Sequence, residues 1–256
     1  MQHMTLTDAL ICMMAKQELA LYGWPADLHP VYRFQEGLAD EVMFTGMLST
    51  VDLVRLVPVL RARRYLSRTE ARTLMAAVSD HGVTVRMRGD ARHDLEGLEL
   101  SGLPDAMEMT GRRLLRALAE QYACLCQSVR TLGRLLTNGT HPAEYQEVLF
   151  SRATLNTQLQ AVAVDPAACG VCETDEGLLS EYIRLILEEN ARVASVCFRV
   201  MCGGLLMAES WAAEVVMMPG QPTRKWVSLD EVRYVAGEAR AAIAERVTAF
   251  HSFLHA

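Results

Sequence analysis

Two cysteines in the stretch ACGVCETDE (168–176) have the C-x-x-C spacing that zinc knuckles and redox dithiols share. A structural zinc ion needs four ligands, so Cys169 and Cys172 would supply only half of such a site. Cys124 and Cys126 do not supply the other half, because residues two apart on a predicted helix face opposite sides. The main interpretation is therefore a plain loop with small buried thiols and no cofactor. Zinc held by Cys169 and Cys172 is the alternative, and it is the metal hypothesis.

A redox function of the same cysteine pair fits the sequence poorly. Thioredoxin-like C-x-x-C pairs follow a strand, and no strand pattern precedes Cys169. The neighbouring acids Glu173, Asp175 and Glu176 also disfavour the thiolate that such chemistry requires. We expect Thr174 instead to cap a helix that starts here, with the acidic side chains near its positive end.

Arginine is concentrated in one segment of a chain whose formal net charge is −6. Residues 50–92 hold nine Arg and four acidic residues, a net charge of +5, which leaves −11 for the remainder. Convergent positive charge is sufficient to bind phosphate, so this segment is the candidate nucleic-acid site. The alternative is a solvated helix face that docks on the acidic remainder of the chain or on an acidic partner. The candidate residues are Arg55, Arg61, Arg63, Arg64, Arg68 and Arg72.

Seven side chains of a predicted helix over 105–137 repeat with alternating spacings of three and four residues. This is an a/d pattern over three heptads, which is typical of helices that pack along a common seam. Packing inside a helical bundle is the main interpretation, and binding of a partner helix is the alternative. The seam residues are Leu115, Leu118, Tyr122, Leu125, Val129, Leu132 and Leu136.

The sequence contains no G-x-S-x-G nucleophile elbow, no P-loop and no G-x-G-x-x-G fingerprint. We therefore assign no catalytic residue. An enzyme remains as the second alternative, with a pocket that is assembled only in three dimensions.

Helical periodicity dominates the pattern of apolar residues, and several helix ends are marked. Ser67 and Glu70 form a capping box, and Gly82 is a natural left-handed helix end. Pro58 lies inside another apolar helical run, where a kink or break is expected. The predicted helices cover about 5–21, 32–47, a stretch from 49, 67–82, 105–137, 142–163, 175–218 and a last one from 228.

The segment 175–218 is helical in pattern throughout, with a break expected at Gly203–Gly204. Its second half, 205–218, is apolar nearly all round and is expected to be the buried central helix. Only 83–88 and 95–100 depart from helical periodicity. The side chains of 83–88 alternate between apolar and polar, which is a strand pattern, and 95–100 is expected to pair with this strand in a small β-hairpin.

The expected fold is therefore mainly α: a bundle of about seven to nine helices with one small β-hairpin near 83–100. The 256 residues are expected to form a single helical domain. It can be subdivided into an Arg-rich helical unit (1–82), a hairpin linker (83–104) and an acidic helical bundle (105–256).

These features favour a non-catalytic protein that acts in protein–protein interactions through helical surfaces. It would be an adaptor, a scaffold or a virion or tegument-type structural protein. Only Lys16 and Lys225 of the 25 basic residues are lysine, a bias that most simply reflects a GC-rich coding genome. Together with the 14 Met and the seven Cys, this composition resembles that of proteins from GC-rich large DNA viruses. A protein partner is expected. RNA binding through 55–72 is the first alternative function, and the chain could also form a homo-oligomer.

The expected location is intracellular, in the cytoplasm or the nucleus. The N-terminus lacks the pattern of a secretory signal, and no apolar run is long enough for a membrane span. The seven cysteines are odd in number and irregularly spaced, which argues against a disulfide framework. A reduced compartment follows from that cysteine usage.

Overall fold

The computed structural model describes residues 5–34, 40–88, 97–144, 146–165, 175–222 and 225–254. Within these ranges the chain forms six α-helices and eight strands, and the strands make two four-stranded antiparallel sheets. The prediction of a mainly α, all-helical bundle of seven to nine helices is therefore wrong. The helices are α1 (Leu6–Tyr22), α2 (Thr50–Ala62), α3 (Arg68–His81), α4 (Glu108–Thr140), α5 (Glu176–Glu189) and α6 (Leu229–Leu254). The strands are β1 (His29–Arg33), β2 (Glu41–Leu48), β3 (Thr84–Met87), β4 (Leu98–Ser101), β5 (Val148–Ala153), β6 (Thr157–Val164), β7 (Arg192–Cys202) and β8 (Leu205–Met217).

The chain divides into two compact units, and the division falls within α1 and α4. The N-terminal unit is Ile11–Arg134. The C-terminal unit combines Met1–Leu10 with Leu135–Ala256. Each unit has its own sheet, and in both sheets the four strands are joined in chain order with helical structure inserted after the second strand.

In the N-terminal unit, β1 and β2 replace the helix predicted over 32–47. Val42 and Phe44 are buried in β2 while Glu41 is exposed, which is the period of two that a strand requires. β3 and β4 pair where the sequence indicates a hairpin. They are the third and fourth strands of this sheet rather than an isolated hairpin.

A buried polar network ties the start of the N-terminal unit to α4. The Trp24 indole N–H donates to the Gln121 side-chain oxygen at 3.0 Å, and the Gln121 amide donates to the Tyr22 carbonyl at 2.9 Å. The Tyr122 hydroxyl accepts from the Phe44 backbone N–H at 2.9 Å. Because these buried donors and acceptors are satisfied, the register of α4 against the sheet is specified as well as its apolar packing.

In the C-terminal unit, α6 packs on β7 and β8. The buried core between them contains Val196 and Phe198 from β7 and Val235 and Ala239 from α6. The first residues of α1 also belong to this unit. The hydroxyls of Thr7 and Thr140 share a buried hydrogen bond of 2.8 Å.

The prediction of a helix over 142–163 is wrong, since this segment forms β5 and β6. The prediction of a buried central helix over 205–218 is also wrong, since this segment forms β8. The predicted break at Gly203–Gly204 is the turn of the β7–β8 hairpin. Both glycines have positive φ, +57° and +83°, as a two-residue hairpin turn requires. A residue with a β-carbon would adopt this turn only with strain, so two adjacent glycines here mark a hairpin rather than an interrupted helix.

Candidate functional site

The arginine-rich segment folds as an α2–α3 hairpin whose helix starts are set by local sequence. Ser49 caps α2 in a capping box with Asp52, and Ser67 caps α3 in a second box with Glu70. α3 ends at Gly82, which is left-handed with φ of +65°. The break expected at Pro58 is absent, because α2 continues through it. These caps determine which turns of α2 and α3 carry the arginines.

All six candidate arginines of this segment are exposed. Within the described part of the chain none of them takes part in an ion pair. Arg63 has other partners, since it donates to the Leu21 carbonyl at 2.9 Å and lies 4.2 Å from the centre of the Tyr22 ring. The guanidinium groups of Arg55, Arg61, Arg64, Arg68 and Arg72 face solvent.

A groove of about 550 Å³ lies between α2 and α3, and three of these arginines line it. We call it the α2–α3 groove. Its cationic wall is formed by Arg61, Arg68 and Arg72. Its apolar floor is formed by Val57, Pro58, Ala71, Met75 and Ala76.

The Glu70 carboxylate is the acid closest in sequence to this arginine wall, but it is already engaged. It accepts from the Ser67 backbone N–H at 2.7 Å and from the Arg113 side chain at 2.6 Å. Hydrogen bonding to Ser67, followed by hydrogen bonding to Arg113, lowers the pKa of Glu70 to about 2. Glu70 therefore holds the start of α3 and does not neutralise Arg68 or Arg72.

The contribution of Glu70 to stability is expected to depend on pH. A carboxyl whose pKa is lowered on folding stabilises the protein above its ordinary pKa of 4.5, and that contribution is lost as the pH falls toward 2. The difference in unfolding free energy between wild type and Glu70→Gln should be at its maximum at pH 6 and should decrease steadily below pH 4.5. Urea titrations at a series of pH values measure it. Glu238→Gln, which removes an exposed carboxylate on α6, is the control. A Glu70→Gln difference that is constant down to pH 2 would contradict this assignment.

The heptad seam of α4 is mostly inside the protein. Leu118, Leu125 and Val129 have no exposed surface in the N-terminal unit, and Leu136 has none in the C-terminal unit. Leu115, Tyr122 and Leu132 are half-buried. A partner helix on this seam stays a prediction. In this structure the buried members serve as core.

Cys169 and Cys172 lie outside the described residues, as does Thr174. The described helix that follows, α5, is capped by Asp175, whose side chain accepts from the Leu178 backbone N–H. Among the described residues, no three or more His, Cys, Asp or Glu side chains converge as a metal site would require. Among the described cysteines, Cys12, Cys124, Cys126 and Cys202 are free thiols.

The sequence identified the arginines of the groove but missed its floor. Val57 is 1% exposed and belongs to the α2 core face, whereas Pro58 is exposed beside it. Met75 and Ala76 likewise reach the edge of the buried face of α3. Apolar residues just outside the main buried stripe of a helix are the pattern that would have indicated such a floor.

A family model described as the C-terminal domain of YubG matches residues 147–254. The matched region runs from the residue before β5 to the end of α6 and is less than half of the 256-residue chain. It therefore contains the second sheet and leaves out the α2–α3 groove. Comparisons with curated proteins and with solved structures give no match.

None of the helices in the described ranges combines the length and the apolar character needed to cross a membrane.

Proposed function

We propose that this protein is a non-catalytic binding protein, an adaptor or scaffold, that engages a polypeptide partner through the α2–α3 hairpin. One observation carries the proposal: exposed arginines without acidic partners in the described part of the chain surround a groove with an apolar floor. Five of the nine residues that line the groove are apolar. Polypeptide segments offer the combination of acidic and apolar side chains that such a surface would accommodate.

The strongly shifted side chains support a structural rather than a catalytic interpretation. Burial raises the pKa of Tyr122 and of Cys126, the latter to about 11. A hydrogen bond to Cys124 raises the pKa of Tyr65 to about 12. Each group is thereby held in its neutral form at neutral pH, whereas a nucleophile or general base would need a pKa moved toward neutrality.

An intracellular location is part of the proposal. Cys12, Cys124, Cys126 and Cys202 are free thiols, and Cys124 is exposed to solvent. Exposed free thiols persist in reducing compartments, which the cytoplasm and the nucleus both provide.

The experiment is affinity capture from the native cell with the wild-type chain and with the Arg61→Glu/Arg68→Glu/Arg72→Glu variant. We expect a partner protein to co-purify with the wild-type chain even after ribonuclease treatment. The amount of this partner recovered with the variant should be at least about tenfold lower, because charge reversal repels an acidic ligand. Circular dichroism checks that the variant is folded.

Two results would contradict the proposal. If RNA is captured, and ribonuclease treatment then removes all of the co-purifying protein, the RNA-binding alternative is favoured. Recovery of only the chain itself, with no heterologous protein, would favour a homo-oligomer.

A further inference from the structure

The α2–α3 groove has features that specify the kind of polypeptide it accepts. We propose that it binds an amphipathic, acidic α-helix of a partner protein, with the apolar face of that helix on the groove floor and its carboxylates on Arg61, Arg68 and Arg72. This inference rests on the proposed function and adds the chemistry of the ligand.

The charge of the groove complements that of an acidic ligand. Arg61, Arg68 and Arg72 line the groove, and within the described residues none of the three has a carboxylate partner. The guanidinium group matches a carboxylate with two parallel N–H donors, so each arginine can bind one acidic side chain of a ligand. The nearest acid of α3, Glu70, is held by Ser67 and Arg113 and does not compete.

The spacing of the groove arginines on α3 matches the spacing of acidic residues along a ligand helix. Arg68 and Arg72 are four residues apart on α3, so their positions differ by about 6 Å along the helix axis. Two glutamates four residues apart on a ligand helix have the same separation, because they also lie one turn apart. Arg61, in the last turn of α2, lines the groove from the other helix and can bind an acid on the opposite flank of the ligand.

The apolar floor of the groove complements the apolar face of an amphipathic helix. Pro58, Met75 and Ala76 are solvent-accessible, apolar and adjacent to the arginines. Apolar residues at i, i+3, i+4 and i+7 of a helix form a stripe that buries such a surface. Met75 suits this contact because its unbranched side chain adapts to different ligand shapes.

The same floor argues against nucleic acid as the ligand. Among the described residues that line the groove there is no aromatic side chain, and stacking on aromatic rings is the main way in which proteins hold single-stranded bases. A phosphate backbone would contact the arginines but would leave Pro58 and Met75 uncovered.

The test uses the full chain and a fluorescent helical peptide of ~18 residues, long enough to hold a helix, with a leucine stripe and glutamates four residues apart on its flanks. A matched peptide carries glutamine at each glutamate. Two double variants change the protein charge equally. Arg68→Glu/Arg72→Glu alters the groove, and Arg55→Glu/Arg64→Glu alters exposed arginines of the same hairpin that do not line it.

We expect the acidic peptide to bind wild type at least about tenfold more tightly than the glutamine peptide in fluorescence anisotropy. The groove variant should lose at least about tenfold in affinity, and the Arg55/Arg64 variant should stay within about twofold. Equal losses in both double variants would overturn the inference, because they would indicate diffuse charge attraction. A fluorescent oligouridylate that binds better than the acidic peptide, with the same dependence on Arg68 and Arg72, would also overturn it in favour of RNA.

This test separates failure of the inference from failure of the proposed function. If the acidic peptide does not bind, but the captured cellular partner still depends on Arg61, Arg68 and Arg72, the proposed function stands and the helical ligand is wrong. If neither binding of the peptide nor recovery of the captured partner depends on these arginines, the helical ligand and the proposed function are both wrong.

Discussion

Replacing Leu125 with aspartate unfolds the N-terminal unit. Leu125 has no exposed surface in α4, and its neighbours on the seam, Leu118 and Val129, are equally buried. The substitution removes a well-packed apolar side chain and places a carboxylate where water does not reach it. Losing the leucine alone costs about 2–5 kcal/mol, and burying the carboxyl group adds to that cost. We therefore expect the free energy of unfolding to fall by more than about 4 kcal/mol.

The measurement is urea unfolding followed by circular dichroism, with hydrogen exchange on peptides from α4 and β7 to distinguish the two units. Gln127→Asp is the matched control, since it introduces the same carboxylate two residues away at an exposed position of the same helix. The control should stay close to wild type. A Leu125→Asp protein that keeps wild-type stability but loses a binding partner would contradict this interpretation and would make the seam a partner surface.

The second large loss of stability is expected on substitution of Phe198 in β7. This side chain is 1% exposed and lies in the core between the sheet and α6 of the C-terminal unit. Phe198→Ala should lower the free energy of unfolding by about 3–5 kcal/mol, because the cavity is enclosed by Val196, Val235 and their neighbours and can collapse only in part.

The control for this prediction is the same substitution at Phe253 of α6, which is 79% exposed. Phe253→Ala should change stability by less than about 0.5 kcal/mol. Chemical denaturation of both variants, with hydrogen exchange of β7 and β8 as the local readout, gives the comparison. Similar losses at the two positions would show that Phe198 is not the core residue that this fold requires.

The helix caps were predictable from sequence because they depend on a few adjacent residues. Ser67 with Glu70, and Gly82 at the end of α3, act through hydrogen bonds and backbone dihedral angles that lie within one helical turn or helix end. The long α4 was also predictable, because its apolar residues follow helical spacing over several turns. These parts of the sequence determine their local structure with little help from distant contacts.

The second sheet was not predictable from the same patterns. Residues Val193–Phe198 of β7 are all buried, so the alternation that identifies a half-exposed strand is absent. A continuously buried run that is apolar except for Ser195 fits a buried helix as well as a buried strand. The β-branched residues of β7 and the two glycines after it were the evidence for a hairpin, and they carry more weight than the apolar character of 205–218.

The candidate groove was predictable only in part. Exposed arginines on α2 and α3 follow from composition and helical periodicity. The floor depends on how α2 packs on α3, because Pro58 and Met75 become neighbours only when the two helices meet. Such a surface arises from tertiary contacts, so a single sequence indicates its charge before it indicates its shape.

The hydrogen bond between Thr7 and Thr140 has a consequence for the order in which the chain acquires its structure during synthesis. The two residues are 133 positions apart, yet both belong to the C-terminal unit. At a translation rate of 5–20 residues per second, Thr7 waits on the order of ten seconds before its partner is made. The first turns of α1, with Leu6 and Leu10 among their buried side chains, therefore remain without their native neighbours while the ribosome completes the N-terminal unit. A nascent chain therefore exposes the apolar side chains at the start of α1 until Thr140, 133 positions later, has been made.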